Sequence, residues 1–310
     1  MDNDLAGLKV LVTGGLGFIG SQLVLRLQDL GCNAEIVDKN DFSTRYYLDG
    51  VDCKIHELDI TEPQKLEDLI SGCDVVFHLA ASGNVIQSIQ DPKNNFENNV
   101  LGTLNVLEAM KQTNCSRLVF SSTGGALMGN TEPPISENSL PSPISPYGAS
   151  KAACESYIEA YSACFGINYT IFRFGNVIGK NSSHKSGVLQ RYHRLIQNGE
   201  DIEVYGNPTR DFIAAEDISN ILSASVTNNA AMNQKIQLAS GVETPIYDLA
   251  RFMVDYYDTK SVIKQTGWRS GEVETNYADI QKFRRIFKNY ELQSFQAFVT
   301  DALEYLDQPR

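Results

Sequence analysis

Short apolar, β-branched runs alternate with longer stretches of helical period along the first 175 or so residues. Leu8–Thr13, Ala34–Asp38, Cys53–Leu58, Asp74–Leu79, Arg117–Ser122 and Tyr169–Phe174 read as strands. Helices are expected between them. Gly20–Leu30 places Leu23, Leu27 and Leu30 on one face, and Asn94–Thr113 carries Phe96, Val100, Leu104, Leu107 and Met110 near helical period. Glu62–Ile70 and Tyr147–Phe165 are the other two. Such alternation requires right-handed crossovers, which cover both faces of a parallel sheet. The expected fold is therefore α/β, a doubly wound parallel sheet of the Rossmann kind. The prolines at 133, 134, 141, 143 and 146 mark an ordered loop that feeds the next helix. Past Asn176 the alternation loosens. Helices at Val188–Asn198, Glu216–Thr227, Ile246–Tyr257 and Ser294–Leu306 are separated by short strands at Asp201–Tyr205 and Lys235–Ala239. This predicts a dinucleotide-type domain over 1–175 and a smaller substrate lobe over 176–310, with some of its segments returning to the sheet.

Composition narrows the partners. Among 310 residues, 38 Asp and Glu stand against 26 Lys and Arg, a net charge of -12. Neither nucleic acid nor an anionic membrane surface suits such a chain. No run approaches the ~20 apolar residues of a membrane span, and the opening Met1-Asp2-Asn3-Asp4 is acidic where a signal peptide is basic. Cys32, Cys53, Cys73, Cys115, Cys154 and Cys164 contain no CxxC pair, so no metal is expected and all six read as packing thiols of a cytoplasmic protein.

The first candidate chemistry is Val12-Thr13-Gly14-Gly15-Leu16-Gly17-Phe18-Ile19-Gly20, a turn between a strand and a helix. Glycines at 14, 17 and 20 allow a tight turn and close approach of backbone to a pyrophosphate, which the helix start with Phe18 and Ile19 would meet with free N–H groups. Asp38 ends the next strand, 18 residues past Gly20. A carboxylate there accepts from an adenosine ribose and repels a 2′-phosphate, so NAD is expected over NADP, with Lys39 and Arg45 nearby.

The second is Tyr147-Gly148-Ala149-Ser150-Lys151, whose first and last residues share a helix face. A phenol titrates near 10, too high for a base at neutrality, and a neighbouring ammonium or a cationic nicotinamide would lower it.

These segments, with Leu58-Asp59-Ile60, His78-Leu79-Ala80-Ala81, Asn98-Asn99-Val100, Phe120-Ser121-Ser122-Thr123, Phe172–Val177, Thr209–Ile213, Asp217 and Arg269–Glu272, resemble the extended short-chain dehydrogenase/reductase family, specifically nucleotide-sugar epimerases and dehydratases. The resemblance runs in order over about nine-tenths of the chain. It implies Tyr147 as catalytic acid/base and Lys151 on the nicotinamide ribose. It also implies Asp59 and Ile60 at the adenine, Ala80 and Ala81 beside the cofactor, and Asn99 holding the loop near the nicotinamide ribose. Thr123, with Ser122 in reserve, would bond the reacting sugar hydroxyl. Asn176, Val188, Arg210 and Arg269 would bind the nucleotide and diphosphate; outside that context the two arginines read as salt-bridge partners of Asp211 and Glu272. His78 reads as a satisfied buried histidine.

The family's dehydratases carry Asp-Glu directly after the loop Thr, where this chain has Gly124-Gly125. Glycine transfers no proton, which disfavours elimination. The implied reaction is inversion of a nucleotide-diphosphate sugar, most often at carbon 4, by transient oxidation. Net dehydrogenation or ketoreduction, and a non-catalytic dinucleotide-binding scaffold, are the competing classes. The loop's ending Leu127-Met128-Gly129 departs from the family's Val-Tyr-Gly. A homodimer is expected across the Asn94–Thr113 and Tyr147–Phe165 helices, through Leu101, Val106, Ala153, Tyr157 and Tyr161.

Overall fold

The computed structural model describes residues 5–39, 47–268 and 273–308. Lys9–Thr13 (β1) leads into Phe18–Asp29 (α1), Asn33–Asp38 (β2), Lys54–Glu57 (β3), Leu66–Ile70 (α2) and Val75–His78 (β4). Val85–Gln90 (α3), Pro92–Phe96 (α4) and Gly102–Gln112 (α5) follow, the last two joined through a π-turn at Glu97–Leu101. Next come Arg117–Thr123 (β5), Gly125–Met128 (α6), Pro146–Phe165 (α7) and Asn168–Phe174 (β6). The rest comprises Asn176–Ile178 (β7), Val188–Gln197 (α8), Ile202–Tyr205 (β8), Thr209–Arg210 (β9), Phe212–Ala214 (β10), Ala215–Ala224 (α9), Gln234–Leu238 (β11), Thr244–Pro245 (β12), Ile246–Tyr256 (α10), Ile263–Thr266 (β13), Gln281–Ile286 (α11) and Phe295–Leu306 (α12).

Seven parallel strands form the central sheet in the order β11-β6-β5-β4-β1-β2-β3. The doubly wound α/β expectation holds. Side chains alternate across it: Val10 and Val12 of β1 join α1's Leu23 and Leu27 on one face, while Leu11 joins Leu107 and Ile158 on the other. Strand order reverses between β1 and β4, so the loops leaving these neighbours diverge and open a crevice at their carboxyl ends. A third core, including Leu189, Val204, Leu249 and Phe298, belongs to the later elements. β11 lies beside β6 in the main sheet and α9 packs on α1, so the chain past 176 contributes to the sheet as well as to this smaller core.

Three expectations are corrected. The continuous helix over 94–113 is instead a helical run from Pro92 whose phase is reset by the π-turn. Val106, expected on an exposed face, is wholly buried among Leu107, Val76 and Phe120. Of the six thiols, Cys164 is exposed at the end of α7 and Cys53 only partly buried; none is in a disulfide.

Candidate functional site

A cleft of about 560 Å³ opens at the reversal point, bordered by Gly14, Gly17, Phe18, Ile19, Gly20, Asp38, Asp59, Ile60, Ala80, Ala81, Ser122, Tyr147 and Lys151 among others. Its floor is tight by construction. Gly14 has φ +73°, and a Cβ there would lie 2.7 Å from the Ala80 backbone nitrogen. A Cβ on Gly20 would lie 2.1 Å from the Gly14 carbonyl oxygen. At Gly17, the residue before α1, a Cβ would lie 3.2 Å from the same oxygen. The first-turn amides of α1 thus border a cradle with no side chain in it, which fits a dinucleotide's diphosphate. Asp38 is aimed by its neighbour: Leu16 N–H donates to Asp38 Oδ2 at 2.9 Å. Lys39, beside it, bonds Asn98 and lies 3.5 Å from Asp59, so its charge is engaged within this end of the cleft. Thr61 N–H donates to Asp59 Oδ1 at 2.9 Å, and the Ile60 side chain packs against Gly102.

The wall after β4 is held by a buried relay of hydrogen bonds. Asn99 accepts from Ser82 N–H at 2.7 Å and donates to Ser150 Oγ at 2.9 Å. Asn99 therefore fixes the loop without bordering the cleft itself, while its neighbour Asn98 does border it. The π-turn, a frequent feature of functional sites, sits at these two residues. His78 lies beneath, its Nδ1 2.6 Å from Thr13 Oγ1 and its Nε2 3.0 Å from Thr103 Oγ1. Burial, then Lys151's charge, pulls its titration down to about 3, so it stays neutral and structural.

Tyr147 and Lys151 enter on the first turns of α7. Ser145 caps that helix by accepting from Gly148 N–H at 3.2 Å, Pro146 occupies its first position, and Gly166 ends it at φ +74°. A Cβ on Gly148 would lie 2.0 Å from the Ala126 carbonyl oxygen, so only glycine lets the helix start press against α6. Lys151 is buried; its Nζ donates to the Ser121 carbonyl at 2.8 Å and sits 4.6 Å from the Phe120 ring centre. The ammonium faces these groups. Burial pushes the Tyr147 phenol up to about 12, opposed by a hydrogen bond with the Thr123 side chain. The loop hydroxyls differ in partner: Ser122 borders the cleft and donates to buried Glu155 at 2.6 Å, whereas Thr123, which does not border it, partners the Tyr147 phenol.

Of the remaining residues expected at the substrate, Asn176, Val188 and Arg210 do not border this cleft. Asn176 is exposed just beyond β6, and Val188 is partly buried at the start of α8. Arg210 Nη1 donates to the carbonyls of Thr209 and Val273 at 2.7 and 2.8 Å, and Arg269 lies outside the described residues. Asp211 is committed to Ser240, Gly241 and Ala278 amides. Met128 is buried against Leu127 and Ile135. Ser82, Asn98, Ser121, Phe174, His184 and Lys185 also border the cleft. Asn98, Ser121 and Phe174 fall inside segments that carry the resemblance, but sequence reasoning gave none of the six an individual role. Among the described residues, no group of three or more His, Cys, Asp or Glu could hold a metal ion.

The model of the NAD dependent epimerase/dehydratase family matches residues 10–239. A provisionally named UDP-glucose 4-epimerase of Methanocaldococcus jannaschii is 34% identical over 290 residues, 88% of this chain and 90% of that protein. Among solved structures, the UDP-glucose 4-epimerase of Thermotoga maritima with UDP-glucose aligns at TM-score 0.89 and 28% identity, covering 96% of this chain and 98% of that one. The Thermus thermophilus UDP-glucose 4-epimerase complex with NAD aligns at 0.86 and 25%, covering 96% and 99%. The chain belongs to the NAD dependent epimerase/dehydratase family.

Proposed function

We propose that this enzyme inverts carbon 4 of a UDP-linked sugar, with Tyr147 as the acid/base and Thr123 as the hydroxyl that holds the reacting group. The observation that carries the reading is Tyr147 on the border of a glycine-floored cleft with the Thr123 side chain as its hydrogen-bond partner. NAD, when bound, would supply the acceptor that takes the sugar's hydride and gives it back to the other face, and the positive ring that favours phenolate. Tyr147 takes the proton from the sugar hydroxyl and returns it after the keto sugar has presented its other face. Thr123 keeps that oxygen within reach of the phenol, and Lys151 borders the cleft where it can meet the nicotinamide ribose. Gly124-Gly125 offers no acid for elimination. Asn176, Val188, Arg210 and Arg269 are assigned to the nucleotide and diphosphate, with UDP supported by the ligands of the similar enzymes. Incubation with UDP-sugars should interconvert 4-epimers while absorbance at the reduced-nicotinamide band stays flat. A change in that band with every turnover would identify net redox instead.

Residues 1–175, completed by β11, form the cofactor-binding unit, and most of 176–310 binds the nucleotide sugar. Asp38 selects NAD. Its replacement by Ser is expected to narrow the NAD-over-NADP preference ~10-fold, since a hydrogen bond to a charged group contributes ~1.5–3 kcal/mol. Isothermal titration with both cofactors measures it; an unchanged ratio removes Asp38 from this role.

The enzyme works as a cytoplasmic homodimer. No helix among the described residues is long and apolar enough to cross a membrane. Leu101, Tyr157 and Phe165 are 37%, 42% and 49% exposed along α7 and the run before α5, and Tyr161 lies partly buried beside Glu108. A two-fold contact would bury each of them twice. Tyr157→Asp is expected to shift sedimentation from dimer to monomer, because a desolvated carboxylate would face its own copy's seam. A dimer that persists in this variant places the interface elsewhere.

A further inference from the structure

Behind the reacting hydroxyls lies an ion pair shut off from solvent. The side chains of Arg173 and Glu155 are 1% and 4% exposed and meet at 2.7 Å. The contact is a fork: Arg173 Nε donates to Glu155 Oε1 at 3.0 Å and Nη2 donates to Oε2 at 2.7 Å. Ser122 Oγ adds a third bond to Oε1 at 2.6 Å. Three elements converge here. Glu155 lies one turn past Lys151 and two past Tyr147 on α7, and Ser122 of β5 is the cross-strand partner of Arg173 in β6. The next residue of β5 is Thr123, the partner of the Tyr147 phenol.

A dry ion pair is seldom more stabilising than well-packed apolar residues of equal volume, because both charges lose their hydration. Its location is informative. It is the clamp between the helix that carries the phenol and the strand end that carries the hydroxyl. Proton transfer needs donor and acceptor within hydrogen-bond reach, and a displacement of about 1 Å can cost ~100-fold in rate. Both side chains are shut off from solvent and bonded to each other, so neither acts on the sugar directly.

We propose that the Glu155–Arg173 pair, acting through Ser122, is a positioning device that sets Tyr147 against Thr123. It rests on the assignment of those two residues as the proton-transfer pair. Glu155→Gln alone would strand a buried guanidinium, so the decisive variant removes both charges: Glu155→Leu with Arg173→Met. That protein is expected to fold, keep its NAD and melt near the wild-type temperature. Its kcat should fall ~10- to 100-fold with KM within about twofold. Ser122→Ala, which cuts the link to Glu155, should lower kcat in the same sense, with KM within about twofold because the effect is on positioning. In a Thr123→Val background both decrements should shrink towards nothing, because the geometry they protect is already lost. Wild-type kcat in the double-charge variant, or full decrements in the Thr123→Val background, would overturn the proposal. Should the double-charge variant not fold, Ser122→Ala decides by the same criteria. An active Tyr147→Phe enzyme would instead sink the underlying assignment, whereas an inactive one beside a fully active double-charge variant sinks the positioning role alone.

Discussion

Tyr147→Phe is expected to lower turnover about 10³-fold, within the ~10²–10⁴ range of general acid–base catalysis, while NAD remains bound. The phenylalanine ring fills the same volume, and no cofactor-bordering backbone moves. What disappears is one oxygen, the partner of the Thr123 side chain and the proposed proton acceptor. Burial holds that phenol near 12, so in the protein alone it keeps its proton at neutral pH. A cation arriving in the cleft favours the phenolate and shifts the balance towards a working base. The experiment compares 4-epimer interconversion and NAD content, the latter by absorbance of the released cofactor. Near-normal turnover would remove Tyr147 from the mechanism.

Gly20→Ala is expected to strip the cofactor. The added Cβ meets three atoms of the turn, the Gly14 oxygen at 2.1 Å, the Gly15 Cα at 2.8 Å and the Gly14 carbonyl carbon at 2.9 Å. All are backbone, so no flexible side chain can yield. The turn must open, which displaces Gly14 from Ala80 and the first-turn amides of α1 from the diphosphate. Overpacking of this kind typically costs ~1–3 kcal/mol, and bound NAD should fall more than tenfold because the cradle is lost as well. Gly267→Ala provides the control, since no heavy atom lies within 4 Å of a Cβ there. NAD stoichiometry and thermal melting of the two variants test this. A Gly20→Ala protein that purifies saturated with NAD would show that the turn has slack the coordinates do not contain.

The amino-acid sequence by itself determined whatever depends on neighbours in the chain. Period-two and period-3.6 patterns specify β1, α1, β5 and α7, because each buries a face that its own spacing defines. The glycine turn, Asp38 at a strand end and the Tyr147–Lys151 pair are legible for the same reason: one tight turn or one helical turn brings their parts together. Tertiary structure decided the rest. Whether Val106 faces solvent or the core depends on how far the π-turn at Glu97–Leu101 rotates the following helix, and no residue pattern announces that turn. The sheet position of β11 comes from pairing with β6, more than sixty residues earlier, and short apolar strands look alike whichever neighbour they take. The same holds for the hydroxyls. Ser122 and Thr123 are equivalent on paper, one residue apart; alternation along β5 sends one to Glu155 and the other to Tyr147. Nothing in the spacing of Glu155 and Arg173 pairs them; only when α7 packs over β6 do they become a dry, forked pair behind the site.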